Sequence, residues 1–208
     1  MHTLLEENTL LVREYTALGK PFLVPTPPTP LAQTPRLLCF NTVLAQQIGL
    51  NPDWWQSLAG LTVLAGSQSL PQYPAQASVY CGHQFGVFVP QLGDGRALLI
   101  AELRSGTRYR QLQLKGAGQT PFSRMGDGRA VLRSSIREYV ASEAMHALGI
   151  PTTRALSLTG SADPVQRETT ETAAIVCRVS QSFLRFGHFE FLPAKTGLSN
   201  CTLCWNGI

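Results

Sequence analysis

Lysine is almost missing from this sequence. Of its 17 basic residues only Lys20, Lys115 and Lys195 are lysines, so arginine carries nearly all the positive charge. Arginine presents a planar fork of donors that matches phosphate and carboxylate, whereas lysine is a compact point charge. Charge of either sign is sparse. Only 14% of the 208 residues are charged and 44% are hydrophobic, against roughly a quarter charged in an average soluble domain. That balance excludes disorder throughout, and the length suffices for one full core or a core with an appendage. No window approaches the roughly 18 uninterrupted apolar residues of a membrane span. The opening MHTLLEENTLLVREY carries acids where a signal peptide carries base. A cytoplasmic protein without a membrane segment is expected.

Basic runs, and basic residues interleaved with aromatic ones, are also lacking. Despite a net charge of +4, nucleic acid is therefore not the expected partner, and nucleotide phosphate fits better. The five cysteines are too irregularly spaced for a disulfide framework. Cys39 and Cys177 stand in apolar stretches and are expected to be buried as small hydrophobes. Cys201 and Cys204 have the spacing of a redox pair or half a zinc site, but no second ligand pair accompanies them and chance is the better reading. Neither GxGxxG nor the Walker A pattern occurs.

What is present has a clear order. An amphipathic start, Leu4 to Leu18, leads into PFLVPTPPTPLAQTPR, whose prolines forbid a helix and predict a rigid arm across the surface. NTVLAQQIGL predicts a short helix stopped at Gly49 and Pro52, and Asp53-Trp54-Trp55 another helical turn. From Ser78, the runs SVYCGHQFGVFVPQL, ALLIAELRS and RYRQLQLKGAG predict three antiparallel strands. Alternation in RYRQLQLK places Leu112 and Leu114 on one face and Gln111, Gln113 and Lys115 on the other. SSIREYVASEAMHALGIP is the clearest helix, with Ile136, Val140, Ala144, Ala147 and Leu148 as its apolar stripe. Ser135 and Glu138 have capping-box spacing, and Gly149 with Pro151 supplies the stop. TTRALSLTG and AAIVCRVSQSFLRFG predict two more strands around an exposed polar segment, SADPVQRETTET. The whole outlines an α+β fold with an antiparallel sheet and a packed helix.

Lys115 is the sharpest candidate residue. It ends an apolar and amide-bearing strand, and it is either a strand-end lysine in water or a cation held over phosphate. The second role needs an acid to orient it, with Glu138 and Glu143 as candidates, although Glu138 could equally serve the capping box. GDGRALLI from Gly93 and GDGRAVLR from Gly126 agree at six of eight positions. Gly93-Asp94-Gly95-Arg96 reads first as a hairpin turn between strands. Gly126-Asp127-Gly128-Arg129 reads as a loop before a helix, where backbone N–H groups favour an anion. Arg178 and Arg185 lie seven apart, so they can converge only if a bend or strand end intervenes.

TPPTPLAQTPRLL, YCGHQFGVFVPQLGDGRALLIAE, RYRQLQLKGAGQTPFSRMGDGRAVLRSSIREYVASEAMHALGIPTTRAL and VCRVSQSFLRFGHFE together closely resemble the SelO family of protein nucleotidyltransferases. The resemblance covers most of the chain from about Thr26 to Glu190. It implies a protein-kinase-like (pseudokinase) N-terminal lobe with an incomplete C-terminal lobe, and transfer of AMP from ATP to protein hydroxyl groups. It also implies nucleotide contacts at Gly93, Gly95, Arg96, Lys115, Asp127, Gly128, Arg178 and Arg185, with Glu138 orienting the lysine. The expected organisation is a helical and proline-rich extension over 1–77, a nucleotide-binding lobe over 78–190 and an atypical tail over 191–208. Family members are well over twice as long, and their catalytic aspartate and the ligands for Mg2+ or Mn2+ lie downstream of GHFE. The chain is therefore expected to be a fragment without catalytic residue or metal ligand, or else a non-catalytic ATP-binding remnant.

Overall fold

Alternation and turn chemistry build an antiparallel sheet from two long hairpins. The computed structural model describes residues 3–196, and side chains through residue 191. The strands are β1 (Thr9–Leu11), β2 (Leu23–Pro25), β3 (Arg36–Phe40), β4 (Gln76–Ser78), β5 (Gly82–Gln84), β6 (Val87–Val89), β7 (Ala97–Ser105), β8 (Arg108–Lys115), β9 (Ala130–Val131), β10 (Arg154–Gln166) and β11 (Thr170–Ser180). The helices are α1 (Thr42–Gln47), α2 (Pro52–Gln56), α3 (Leu58–Leu64), α4 (Leu132–Ala147) and α5 (Phe186–Thr196). The main sheet runs β2-β4-β7-β8-β11-β10-β3, with β1 also paired to β7 and β9 to β11. The architecture is α+β, as expected. No helix among the described residues is long and apolar enough to cross a membrane.

ALLIAELRS and RYRQLQLK form the central hairpin, and β7 is buried on both faces from Ala97 to Leu103. The first run from Ser78 is not one strand. Phe85 and Gly86 both have positive φ, which closes β5 onto β6 as a separate two-stranded hairpin and leaves Phe85 exposed. The last expected strand is also shorter than its apolar pattern. It ends at Ser180, and Phe186 onward is helical. The polar segment SADPVQRETTET forms the outer end of the β10–β11 hairpin, from the last part of β10 through the turn into the start of β11; it faces solvent apart from Val165, which is buried.

The proline arm is more than a surface strap. Leu23–Pro25 pairs with β4, and Phe22, Leu23 and Leu31 enter the core. Pro25 is tolerated because it closes a short edge strand, where a missing N–H costs no ladder bond. Segments on both sides of residue 78 thus share one sheet and one core, which extends from Tyr15 to Phe191. Cys177 and Cys81 are buried, but Cys39 is exposed on β3, which borders the sheet. Cys201 and Cys204 lie outside the described residues.

Helix α4 departs most from its sequence pattern. Its expected apolar stripe points outward, with Ile136, Val140 and Leu148 exposed. Leu132 and Tyr139 instead pack on Ala155, Leu158, Ala174 and Val176 of the β10–β11 hairpin. The helix begins at Leu132 with Val131 as N-cap and no capping side chain, so Ser135 and Glu138 form no capping box. Its end is as expected. Gly149 takes the left-handed conformation, with Gly149 N–H donating to His146 and Ile150 N–H to Met145, the two bonds of a Schellman motif.

One buried carboxylate ties the N-terminal segment to the sheet. Glu102 of β7 accepts from the N–H groups of Glu14 (2.7 Å), Tyr15 (2.7 Å) and Thr16 (2.9 Å), and from the hydroxyls of Tyr73 and Tyr109. Burial, with the Glu102 carboxylate beside them, holds both phenols well above the usual tyrosine range. Removing the acceptor strands several buried donors. Glu102→Ala is expected to lose about 3 kcal/mol or more of stability, and Glu102→Gln less. Urea denaturation checks this, and an unchanged midpoint for Glu102→Ala would contradict it.

Candidate functional site

The polar face of β8 is buried, so every side chain on it needs a partner. Gln111 and Gln113 are as inaccessible as Leu112 and Leu114 opposite them. Lys115 lies at the rim, where its Nζ forms an ion pair with Glu138 Oε2. The absence of a capping box leaves the Glu138 carboxylate available for this contact. Glu143, the other candidate, is engaged elsewhere. It takes Arg154 in a bidentate pair (2.9 and 2.8 Å), together with Asn41 Nδ2 and the Ala155 N–H. These donors hold its carboxyl below the usual range against the opposing effect of burial.

Arg178 joins the same cluster from the neighbouring strand. Its Nη1 lies 3.5 Å from Glu138 Oε1, its Nη2 donates to Gln113 Oε1, and its guanidinium sits over the Phe183 ring. Burial lowers its pKa, with Glu138 and Asp94 acting in the opposite sense. The required bend is present: β11 ends at Ser180, two residues past Arg178, before the chain reaches Arg185. Arg185 stacks on the Tyr80 ring with the guanidinium carbon 5.3 Å from its centroid. Its backbone N–H donates to His188 Nδ1 (2.9 Å).

The two GDGR segments occupy different settings, and neither matches its simplest reading. The first is no hairpin turn, because β6 pairs with β5 whereas β7 pairs with β4 and β8. Its carbonyls are held by Thr120 Oγ1 on Asp94 (2.6 Å) and Ser123 Oγ on Gly95 (2.5 Å). The second does not open directly onto α4, since β9 intervenes and pairs with β11. Its Gly128 has positive φ and approaches the Gly118 backbone so closely that an added Cβ would lie 2.0 Å from Gly118 O. Both segments nevertheless face one cavity of about 510 Å³, lined by Gly95, Arg96, Ser123, Gly126, Asp127 and Gly128 among others.

The expected residues therefore form two adjoining groups. Gly95, Arg96, Asp127 and Gly128 line the cavity; Lys115, Glu138 and Arg178 form the ion-pair cluster beside it. The Gly116 N–H donates to Arg96 O (2.8 Å), which connects them. Gly93 lies next to the cavity, packed against the ring of Phe122. The Asp127 carboxylate is already bidentate to Arg167 (2.7 and 3.0 Å), which holds it below the usual carboxylate range. Arg167 comes from the β10–β11 turn, and nothing in its local sequence marks it. Asp94, Tyr80 and Gln113, which contact one another and the two arginines, are likewise not among the expected residues, although alternation does put Gln113 on the face of Lys115.

The site thus sets a strand lysine against a helix glutamate, with a buried arginine on the same acid and two glycine-rich segments at one cavity. The family model for protein adenylyltransferase SelO matches residues 8–202. The chain is 59% identical over 182 residues to a protein nucleotidyltransferase YdiU of Methylococcus capsulatus, which covers 87% of the chain and 36% of that relative. It is 56% identical to the YdiU protein of Bordetella parapertussis, with the same coverages. Against the YdiU protein of Ralstonia nicotianae it is 53% identical, over 88% of the chain and 35% of the relative. The chain belongs to the SelO family, and it spans little more than a third of the length of these relatives.

His188 gives the site region a pH dependence. The ring is buried, its Nδ1 accepts from the Arg185 N–H, and Nε2 lies 3.0 Å from Tyr15 Oη. Burial, with the Arg185 cation nearby, pushes its pKa down to about 4. The unfolded chain then binds the proton first. Stability contributed by the neutral ring is complete above about pH 6.5 and falls by up to about 3 kcal/mol as the pH drops towards 4. Denaturation midpoints between pH 7 and 4.5 should fall more steeply for the natural chain than for His188→Gln.

Proposed function

We propose that this chain supplies the nucleotide-binding part of a protein adenylyltransferase, built as a kinase-like N-terminal lobe. The observation that carries the reading is the Lys115–Glu138 ion pair with Arg178 against it, beside a cavity shared by both GDGR loops. A strand lysine oriented by a helix glutamate is the arrangement with which kinase-like lobes hold nucleotide phosphates. Family membership and the printed names of the relatives, protein nucleotidyltransferases, support a nucleotide and a protein as the two substrates.

In the reaction proposed for the whole protein, a Ser, Thr or Tyr hydroxyl oxygen attacks the α-phosphorus of ATP while its proton passes to a general base. The bond to the β-phosphate oxygen breaks, pyrophosphate leaves, and AMP remains on the protein oxygen. Negative charge on the triphosphate is the barrier that this chain's residues address. Lys115, Arg178 and Arg185 place cationic donors beside it, and the loops at Gly93, Gly95, Arg96, Asp127 and Gly128 bring backbone close to the phosphates. Pre-positioned donors stabilise developing charge without reorganising during the reaction.

Mg2+ or Mn2+ would assist by neutralising the phosphates when bound. Among the described residues, however, no group of three or more His, Cys, Asp and Glu side chains is placed to hold a metal ion. The role proposed for this chain by itself is nucleotide binding, with a cytoplasmic location and neither nucleic acid nor membrane as partner. The second reading, a nucleotide-binding remnant without transferase activity, draws on the same observation.

Calorimetry with ATP tests the first step. Lys115→Ala is expected to weaken binding about tenfold or more, the effect of losing a charge-assisted contact. Unchanged affinity would remove Lys115 from the site. With α-labelled ATP, Mg2+ and a protein acceptor, the chain alone is expected to transfer little or no AMP, and robust incorporation would overturn that division of roles.

A further inference from the structure

A primary amide between a carboxylate and a guanidinium has only one workable orientation. The ionised carboxylate only accepts and the guanidinium only donates, so the amide N–H must face the acid and the amide oxygen the arginine. Gln113 meets this condition inside the sheet. Its Nε2 donates to Asp94 Oδ2 (3.1 Å) and its Oε1 accepts from Arg178 Nη2. Asp94 is the centre of the arrangement. It is 3% exposed and also accepts from Tyr80 Oη (3.0 Å) and from the Ser78 N–H (3.3 Å). The ring of that same Tyr80 lies under the Arg185 guanidinium.

One carboxylate thus reaches both arginines, through an amide on one side and a phenol on the other. Its backbone stands between Gly93 and Gly95, so the groups that hold the arginines also hold the first loop. Arg178 is not fixed by complete satisfaction of its own donors, because its buried Nε has no partner among the described residues. Its pose depends on the contacts at its Nη end and on the Phe183 ring.

We propose that Asp94 is a positioning residue that, through Gln113 and Tyr80, sets Arg178 and Arg185 in register with the first GDGR loop. This rests on the nucleotide reading above, which assigns the arginines and loop residues to phosphate and gives Asp94, Gln113 and Tyr80 no part. Loop and arginines behave as one preorganised unit, so an arriving triphosphate meets donors already in place. Affinity gained this way belongs to the phosphates and not to the nucleoside.

Two measurements on the 208-residue chain test the role. With ¹⁵N-arginine labelling, the Arg178 guanidinium is expected to show separate Nη resonances from restricted rotation, merging in Gln113→Leu. Arg178 signals unaffected by Gln113→Leu would overturn the coupling. In calorimetry, Gln113→Leu and Asp94→Asn are each expected to weaken ATP about tenfold while adenosine binding stays within about twofold. Gln113→Glu alone sets two carboxylates together and should also weaken ATP. Combining it with Asp94→Asn exchanges acid and amide along the same hydrogen-bond line and should recover most of that loss. Equal losses for ATP and adenosine would indicate general damage and count against the role. If Lys115→Ala weakens ATP but Gln113→Leu and Asp94→Asn do not, the positioning role alone fails. If the natural chain binds no ATP, the nucleotide reading fails and the positioning role with it.

Discussion

Strand β8 presents Gln111 and Gln113 on a face that the fold closes from water, with Lys115 at its rim, and the partners these three take draw the surrounding segments together. Gln111 accepts from the Phe183 N–H (2.7 Å), which sets the bend after β11. Gln113 takes Asp94 and so holds the first glycine loop. Lys115 takes Glu138 and fixes the rotation of α4. An unpaired polar group at any of these positions would cost more than the packing around it returns, so the three contacts are formed together. Leu112 and Leu114, on the other face, lock the strand's register into the core, and a one-residue slip would exchange the two sets.

This accounts for the orientation of α4. A helix with an apolar stripe ordinarily turns that stripe inward. Here Glu138 must reach Lys115 and Arg178 while Glu143 must reach Arg154, and both acids lie on the face that also carries Leu132 and Tyr139. That face packs on the β10–β11 hairpin, and Ile136, Val140 and Leu148 turn outward as a consequence. Both acids are partly buried, with 25% and 23% of their side chains exposed, and a partly buried acid that loses its cation keeps its desolvation cost without the compensating charge.

Acids recur as organisers in a chain that has few of them. Glu102 gathers the N-terminal segment onto β7, Asp94 gathers the arginines onto the first loop, and Asp127 takes Arg167 from a distant turn. In each case one carboxylate accepts from several donors: N–H groups and phenols at Glu102, an amide, a phenol and an N–H at Asp94, and the forked guanidinium of Arg167 at Asp127. The low overall charge is thus concentrated where segments meet.

Elements specified by local chemistry were legible in the residues alone. Alternation placed Gln113 and Lys115 on one face of β8, a glycine and proline pair ended α4, and the short helix in NTVLAQQIGL and the helical turn at Asp53-Trp54-Trp55 both formed. The long match of its motifs to the SelO family was also legible, and the family model over residues 8–202 agrees. Only the tertiary structure decided what depends on distant partners. These are the choice of Glu138 over Glu143 for Lys115, the exposure of the α4 stripe and the meeting of the two GDGR loops at one cavity. Periodicity reports which residues share a face, but it carries no information about what that face will touch. The contacts of Asp94 with Gln113 and of Asp127 with Arg167 join residues 19 and 40 apart, and geometry at that range is set by the sheet and not by the spacing of residues.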